Sequence, residues 1–67
     1  MAQDTPKFIV FQDLDGGFRW RLRSATLETL AWSEWVYSER KPCVQEVRRV
    51  KAELYPEADI LDLTIRR

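Results

Sequence analysis

The stretch Phe18-Arg19-Trp20-Arg21-Leu22-Arg23 alternates without a break between apolar residues and arginine. A period of two is the mark of a β-strand, whose successive side chains point to opposite faces of a sheet. A sheet containing this segment has one apolar face and one cationic face. The alternation predicts Phe18, Trp20 and Leu22 in a core, with Arg19, Arg21 and Arg23 pointing away from it. This arginine row is the most prominent surface feature the sequence offers.

The flanking residues extend the pattern. Pro6 ends a lead-in over residues 1–6, expected to be flexible, and Lys7–Gln12 reads as a first strand. Its Phe8-Ile9-Val10-Phe11 run is too continuously apolar for alternation to say which side faces inward. Asp13-Leu14-Asp15-Gly16-Gly17 is a turn, because glycine supplies the positive φ that a tight reversal needs. The second strand, Phe18–Ser24, is expected to pair with the first as an antiparallel hairpin. A second reversal is expected near Ala25-Thr26-Leu27, though none of these residues has special turn chemistry. A third strand follows over about 28–34, with Leu30 and Trp32 on one face and Thr29, Ala31 and Ser33 on the other.

Pro42 suits the first turn of a helix, where its missing donor would be unpaired anyway. Cys43, Val47, Val50 and Leu54 then recur at a 4-3-4 spacing, which gathers them within about 60° of one helix face. The helix is predicted over Pro42–Leu54, lying by one buried stripe across the sheet. Tyr55-Pro56 ends it. A fourth strand is predicted over Asp59–Ile65, with Leu61, Leu63 and Ile65 on one face and Ile60, Asp62 and Thr64 on the other. The fold class is therefore α+β: a three-stranded antiparallel meander, one helix and one C-terminal strand, forming a single domain over residues 7–65.

A chain of 67 residues is short of core. At about this length folding buries only about 60% of the surface that the unfolded chain exposes. Small domains usually compensate with disulfides, a metal or a second subunit. Cys43 is the single cysteine, so no intrachain disulfide forms, and with no histidine the common zinc sites are excluded. No segment has the ligand spacing of a calcium loop either. No metal or cofactor is expected, and association with a second copy is the remedy left. Eight aromatic residues, among them Trp32, Trp35 and Tyr37, exceed what one modest helix stripe can cover, and aromatics are enriched at interfaces.

In its motifs the chain resembles the small YegP-like family. The resemblance rests on Phe8-Ile9-Val10-Phe11, Phe18-Arg19-Trp20-Arg21-Leu22, Ser33-Glu34, Tyr37-Ser38-Glu39-Arg40-Lys41-Pro42-Cys43 and Glu46-Val47-Arg48-Arg49-Val50-Lys51. Three departures stand out. Thr26-Leu27 replaces the Asn-Gly usual in the family's second hairpin, Glu46 stands at a usual glycine, and one extra residue falls between Glu34 and Tyr37. The last of these suggests a bulge or a changed loop. What the resemblance implies is a β(3)-α-β unit used in pairs, single-unit members dimerising with exchanged C-terminal strands. It implies no activity and no catalytic residues.

Several function classes fall away on residue chemistry. Without histidine, nucleophile–histidine dyads and triads are impossible. Cys43 lies on the apolar stripe as a structural thiol, Asp13 and Asp15 serve a turn, and Gly16-Gly17 lacks the spacing and lysine of a phosphate loop. No enzyme is expected. The longest apolar run is four residues, far below a membrane span, and Met1–Pro6 has no basic-then-apolar leader, so a cytoplasmic setting is expected. Two binding readings remain. The first is a dimeric module acting through protein interaction. The alternative is nucleic-acid binding through Arg19, Arg21 and Arg23, with Trp32, Trp35 or Tyr37 stacking on bases if exposed. The eleven basic and eleven acidic residues cancel, so no global charge announces a nucleic-acid binder. On the sheet, Glu28 and Glu34 are expected to neutralise the row, and on the helix Glu46 is expected to pair with Arg49.

Overall fold

The computed structural model describes residues 5–65. Residues 1–4 of the expected lead-in lie outside the described residues; Pro6 is already tied to the sheet, its carbonyl accepting from the Asp59 amide at 3.1 Å. The element order is β1 (Lys7–Gln12), β2 (Phe18–Arg23), β3 (Thr29–Trp32), α1 (Arg40–Leu54) and β4 (Asp59–Asp62). The four strands form one mixed sheet in the order β3-β2-β1-β4. The meander is antiparallel, and after the helix β4 returns to the sheet edge to run parallel to β1 of the same chain.

The two hairpin loops share one hydrogen-bond pattern. In the first, the Asp13 amide donates to the Gly17 carbonyl at 2.8 Å and the Gly16 amide to the Asp13 carbonyl at 3.0 Å. The Asp13 Oδ1 accepts from the amides of Asp15 and Gly17. In the second, the Ser24 amide donates to the Glu28 carbonyl and the Leu27 amide to the Ser24 carbonyl, while the Ser24 Oγ accepts from Thr26 and Glu28. Each is a three-residue loop whose last member takes the left-handed conformation that closes such turns. Gly16 does this at φ +86, but Leu27 does it at φ +71 with a full side chain. The second reversal is thus set by Ser24, which plays the part of Asp13. Gly17 is required for a different reason: a Cβ there would collide with Val36 Cγ1.

The core is small. Phe8 and Val10 of β1, Trp20 and Leu22 of β2, Cys43 and Val47 of α1, and Ala58 are buried, with Phe8 and Trp20 packed edge to face at 5.6 Å between centroids. The helix lies over β1 and β2. It begins at Arg40 rather than Pro42, which places Pro42 third in the helix, still among the first four residues whose amides have no intrahelical acceptor. Its expected stripe holds for Cys43 and Val47, with Val50 half-buried, but Leu54 is 67% exposed. Tyr55, edge-on to Phe8, and buried Ala58 close that end of the core instead.

Two strands are shorter than predicted. β4 stops at Asp62 because the Asp62 Oδ1 captures the Thr64 amide at 2.9 Å, a local turn that competes with the ladder. β3 stops at Trp32. The Ser33 amide still reaches the Trp20 carbonyl, after which residues 34–36 leave the sheet and Tyr37 rejoins it opposite Phe18. Of the bulge or changed loop expected before Tyr37, the structure has the changed loop, an excursion that carries Trp35 and Val36 outward.

Candidate functional site

The helix covers one face of the sheet, and the register assigns the residues of the other. Ile9 lies opposite Arg21, Phe11 opposite Arg19 and Lys7 opposite Arg23. Across β2, Arg21 lies opposite Trp32 and Arg23 opposite Thr29; across β1, Leu61 lies beside Ile9 and Asp59 beside Lys7. Paired residues share a face. The uncovered face therefore carries a central arginine line flanked by Ile9 and Phe11 on one side and Trp32 on the other, with Leu61 and Leu63 beyond. Trp32 is 66% exposed and Leu63 61%.

The three arginines have different surroundings. Arg19 Nε donates to Asp13 Oδ2 at 3.2 Å, so the residue that builds the turn also holds this guanidinium. Arg21 lies over the Phe11 ring, its Cζ 4.6 Å from the centroid, a cation–π contact. Arg23 keeps a buried Nε with no hydrogen-bond partner. Neither Glu28 nor Glu34 forms an ion pair with the row among the described residues, contrary to expectation. The acids lie past the ends of β3, where Glu28 serves the loop and Glu34 belongs to the departing chain. By register the face holds Lys7, Arg19, Arg21 and Arg23 against one acid, Asp59. With Arg19 held by Asp13, three cations remain without an ion pair among the described residues.

Depressions run along this line. One of about 210 Å³ lies between Phe11, Arg19, Arg21 and Trp32. A second, of about 260 Å³, shares Phe11 and Arg21 with it and adds Ile9, Arg23 and Leu63. The third, about 450 Å³, shares Ile9 and Arg23 with the second and reaches Lys7, Leu27 and Leu61. They follow one another along the arginine line as a segmented trough, neighbours sharing Arg21 and then Arg23.

Of the residues singled out in the sequence, Arg19, Arg21 and Arg23 come together here. Trp35 does not: it projects from the 34–36 excursion, 69% exposed. Tyr37 is on the helix side, half-buried against the core beside Phe18, its hydroxyl raised in pKa by burial and by the Glu46 charge. Ile9, Phe11, Leu61, Leu63 and Lys7 were not singled out for the face. A register counted outward from the Asp13–Gly17 turn would have placed Phe11 opposite Arg19 and revealed them.

Burial, with the Asp62 charge, pushes the Cys43 thiol up to about 11, so it is protonated at neutral pH. Arg40 is paired with Asp62 and donates to Thr64, Arg49 pairs with Glu46 as expected and also with Glu53, and Lys51 donates to the Pro56 carbonyl. Among the described residues no group of three acidic, cysteine or histidine residues could hold a metal ion, and no helix is long and apolar enough to cross a membrane. Comparison with known proteins adds no relative: no family model, no curated protein and no solved structure matches the chain.

Proposed function

We propose that this chain is a non-enzymatic binding module that docks a partner on the uncovered face of its sheet. The observation that carries this reading is the exposure of Trp32, Leu61 and Leu63 beside cations that nothing among the described residues neutralises. A solvated sheet face normally carries polar residues between its charges, whereas contiguous exposed apolar surface marks an interaction site. The protonated, buried Cys43 and the lack of histidine support a role without catalysis. A reduced thiol also suits a cytoplasmic setting. The test compares what co-purifies with the wild-type chain and with a Trp32→Ser/Leu61→Ser variant. Partners held by this face are lost from the variant; identical recovery refutes the reading.

A homodimer accompanies this function, and a separate observation favours it. On the helix side, Ile60 of β4 and Leu54 at the end of α1 are exposed, and the outer edge of β4 is unpaired within the described chain. A second copy pairing along the outer edge of β4 covers that region and leaves the cationic face open, and the resemblance to paired β(3)-α-β units implies that the C-terminal strands are also exchanged. The loop Tyr55–Ala58 is the hinge of such an exchange. Solution mass across a concentration series tests it; a monomer at micromolar concentration refutes it.

A further inference from the structure

Two of the open face's three cations without an ion pair among the described residues, Arg21 and Arg23, stand two residues apart on β2, about 6.6 Å along it, and the third, Lys7, lies opposite Arg23 on β1. The separation along β2 is of the order of the spacing between phosphates in an extended polynucleotide strand. A trough follows the same line, with each depression sharing an arginine with the next. An exposed indole, Trp32, stands directly across from Arg21. We propose that the occupant of this face is a single-stranded nucleic acid, with phosphates on Lys7, Arg21 and Arg23 and a base stacked on Trp32. The proposal rests on the open face being the binding surface and names its partner.

Charge complementarity selects this occupant over the others. A second copy laid face to face would set two arginine lines against each other with Asp59 as the one acid on each face, and like charges so placed repel. An acidic peptide would satisfy the cations, but the aromatic surface of Trp32 lacks a matching π-face in it. A duplex keeps its bases stacked inside, and the strands of this face offer no helix to enter a groove. Unstacked bases, by contrast, present π-faces that flat aromatic platforms bind with little sequence preference. The Arg21–Phe11 contact matters here because it fixes one cation of the line in place on the sheet.

The experiment is fluorescence anisotropy of short, labelled, mixed-sequence RNA and DNA strands, and of the matched duplex, titrated with the full chain over a salt series. Three phosphate contacts give a slope of log affinity against log salt of about −2, from about −0.7 per contact on single strands. Arg21→Ala/Arg23→Ala reduces the slope to about −0.7. Trp32→Ala weakens binding tenfold or more at unchanged slope, and Trp32→Phe restores most of it. Lys41→Ala/Arg48→Ala removes two exposed cations from the helix and changes neither quantity. Thermal melts confirm that each variant is folded.

No anisotropy change at the lowest salt overturns the proposal. So does equal affinity for the duplex, or a loss in the helix variant matching that of the arginine variant. The RNA and DNA arms show which sugar is accepted. If a polyglutamate peptide binds with the same arginine dependence and the oligonucleotides do not, the nucleic-acid assignment falls and the docking face survives. If neither binds and the Trp32/Leu61 variant co-purifies with the same material as wild type, both fall.

Discussion

Replacing Leu27 by glycine should stabilise this domain, although it removes a large apolar side chain. Leu27 closes the β2–β3 loop at φ +71, where the Cβ of an L-residue crowds the backbone at a cost of about 1–2 kcal/mol. Its side chain is 72% exposed, so little packing is lost with it. Glycine relieves the crowding, but it frees the unfolded chain and so returns about 0.4–1 kcal/mol. The net gain is about 0.5–1 kcal/mol. With an unfolding entropy of about 2.1 cal/mol/K per residue, 67 residues give about 0.14 kcal/mol/K, so Tm should rise by about 4–7 °C. Differential scanning calorimetry of Leu27→Gly and Leu27→Ala separates the causes, because alanine keeps the Cβ and should bring no such gain. The reciprocal change, Gly16→Ala, brings its methyl group only into ordinary contact with Gln12 Nε2 at 3.8 Å yet should lose about 1 kcal/mol by conformation alone. A fall in Tm for Leu27→Gly, or an equal rise for Leu27→Ala, refutes the account of this loop.

Two further perturbations test the core and the helix anchor. Trp20→Ala should cost about 3–5 kcal/mol as a large-to-small change in the core, whereas Arg21→Ala forfeits a half-exposed cation–π contact of about 0.5–1 kcal/mol; comparable losses in urea denaturation would overturn the facing of β2. Burial pushes the Asp62 carboxyl up, but hydrogen bonds from the Thr64 hydroxyl and amide and from Arg40 outweigh it and hold the carboxyl below its ordinary range. A depressed folded pKa contributes stability that is present above the unfolded value of about 3.9 and is lost as pH falls through the folded one. Denaturation midpoints between neutral pH and pH 3 should therefore drop more steeply for wild type than for Asp62→Asn, and parallel curves would show that Asp62 is not the group responsible.

The order of elements and the facing of β2 were legible because alternation and helical spacing are direct consequences of backbone geometry. Other features were hidden for reasons particular to their residues. The Phe8–Phe11 run is apolar on both sides because one side meets the helix and the other lines the trough, so periodicity alone could not divide it. The second turn was obscured by Leu27, which stands where the backbone favours glycine; the legible signal was Ser24, whose hydroxyl accepts the two amides that Asp13 accepts in the first loop. Leu54 fitted the helical stripe by angle yet is exposed, because Tyr55 and Ala58 close that end of the core in its place. Neutralisation of the arginine row by Glu28 and Glu34 failed because β3 spans Thr29–Trp32 and leaves both acids outside it. The acid that reaches the row is Asp13, which sequence reasoning had assigned wholly to the turn.

That double use of Asp13 bears on how the face can work. By holding Arg19 at the β1–β2 loop it removes the cation at one end of the line, and the remaining positive charge is concentrated around Arg21, Arg23 and Lys7 toward the other. Trp32 lies across from Arg21, at the boundary between the neutralised and charged parts. On the proposed reading a bound strand would be held by phosphates at the Lys7 end and by stacking near the middle. Moving the neutralisation should move the strand: Asp13→Asn frees Arg19, adds a fourth phosphate contact and steepens the salt slope from about −2 to about −2.8. The same substitution retains an Oδ1 acceptor for the turn amides, so the loop that sets the register should persist. A salt slope unchanged by Asp13→Asn would mean that the strand does not follow the arginine line.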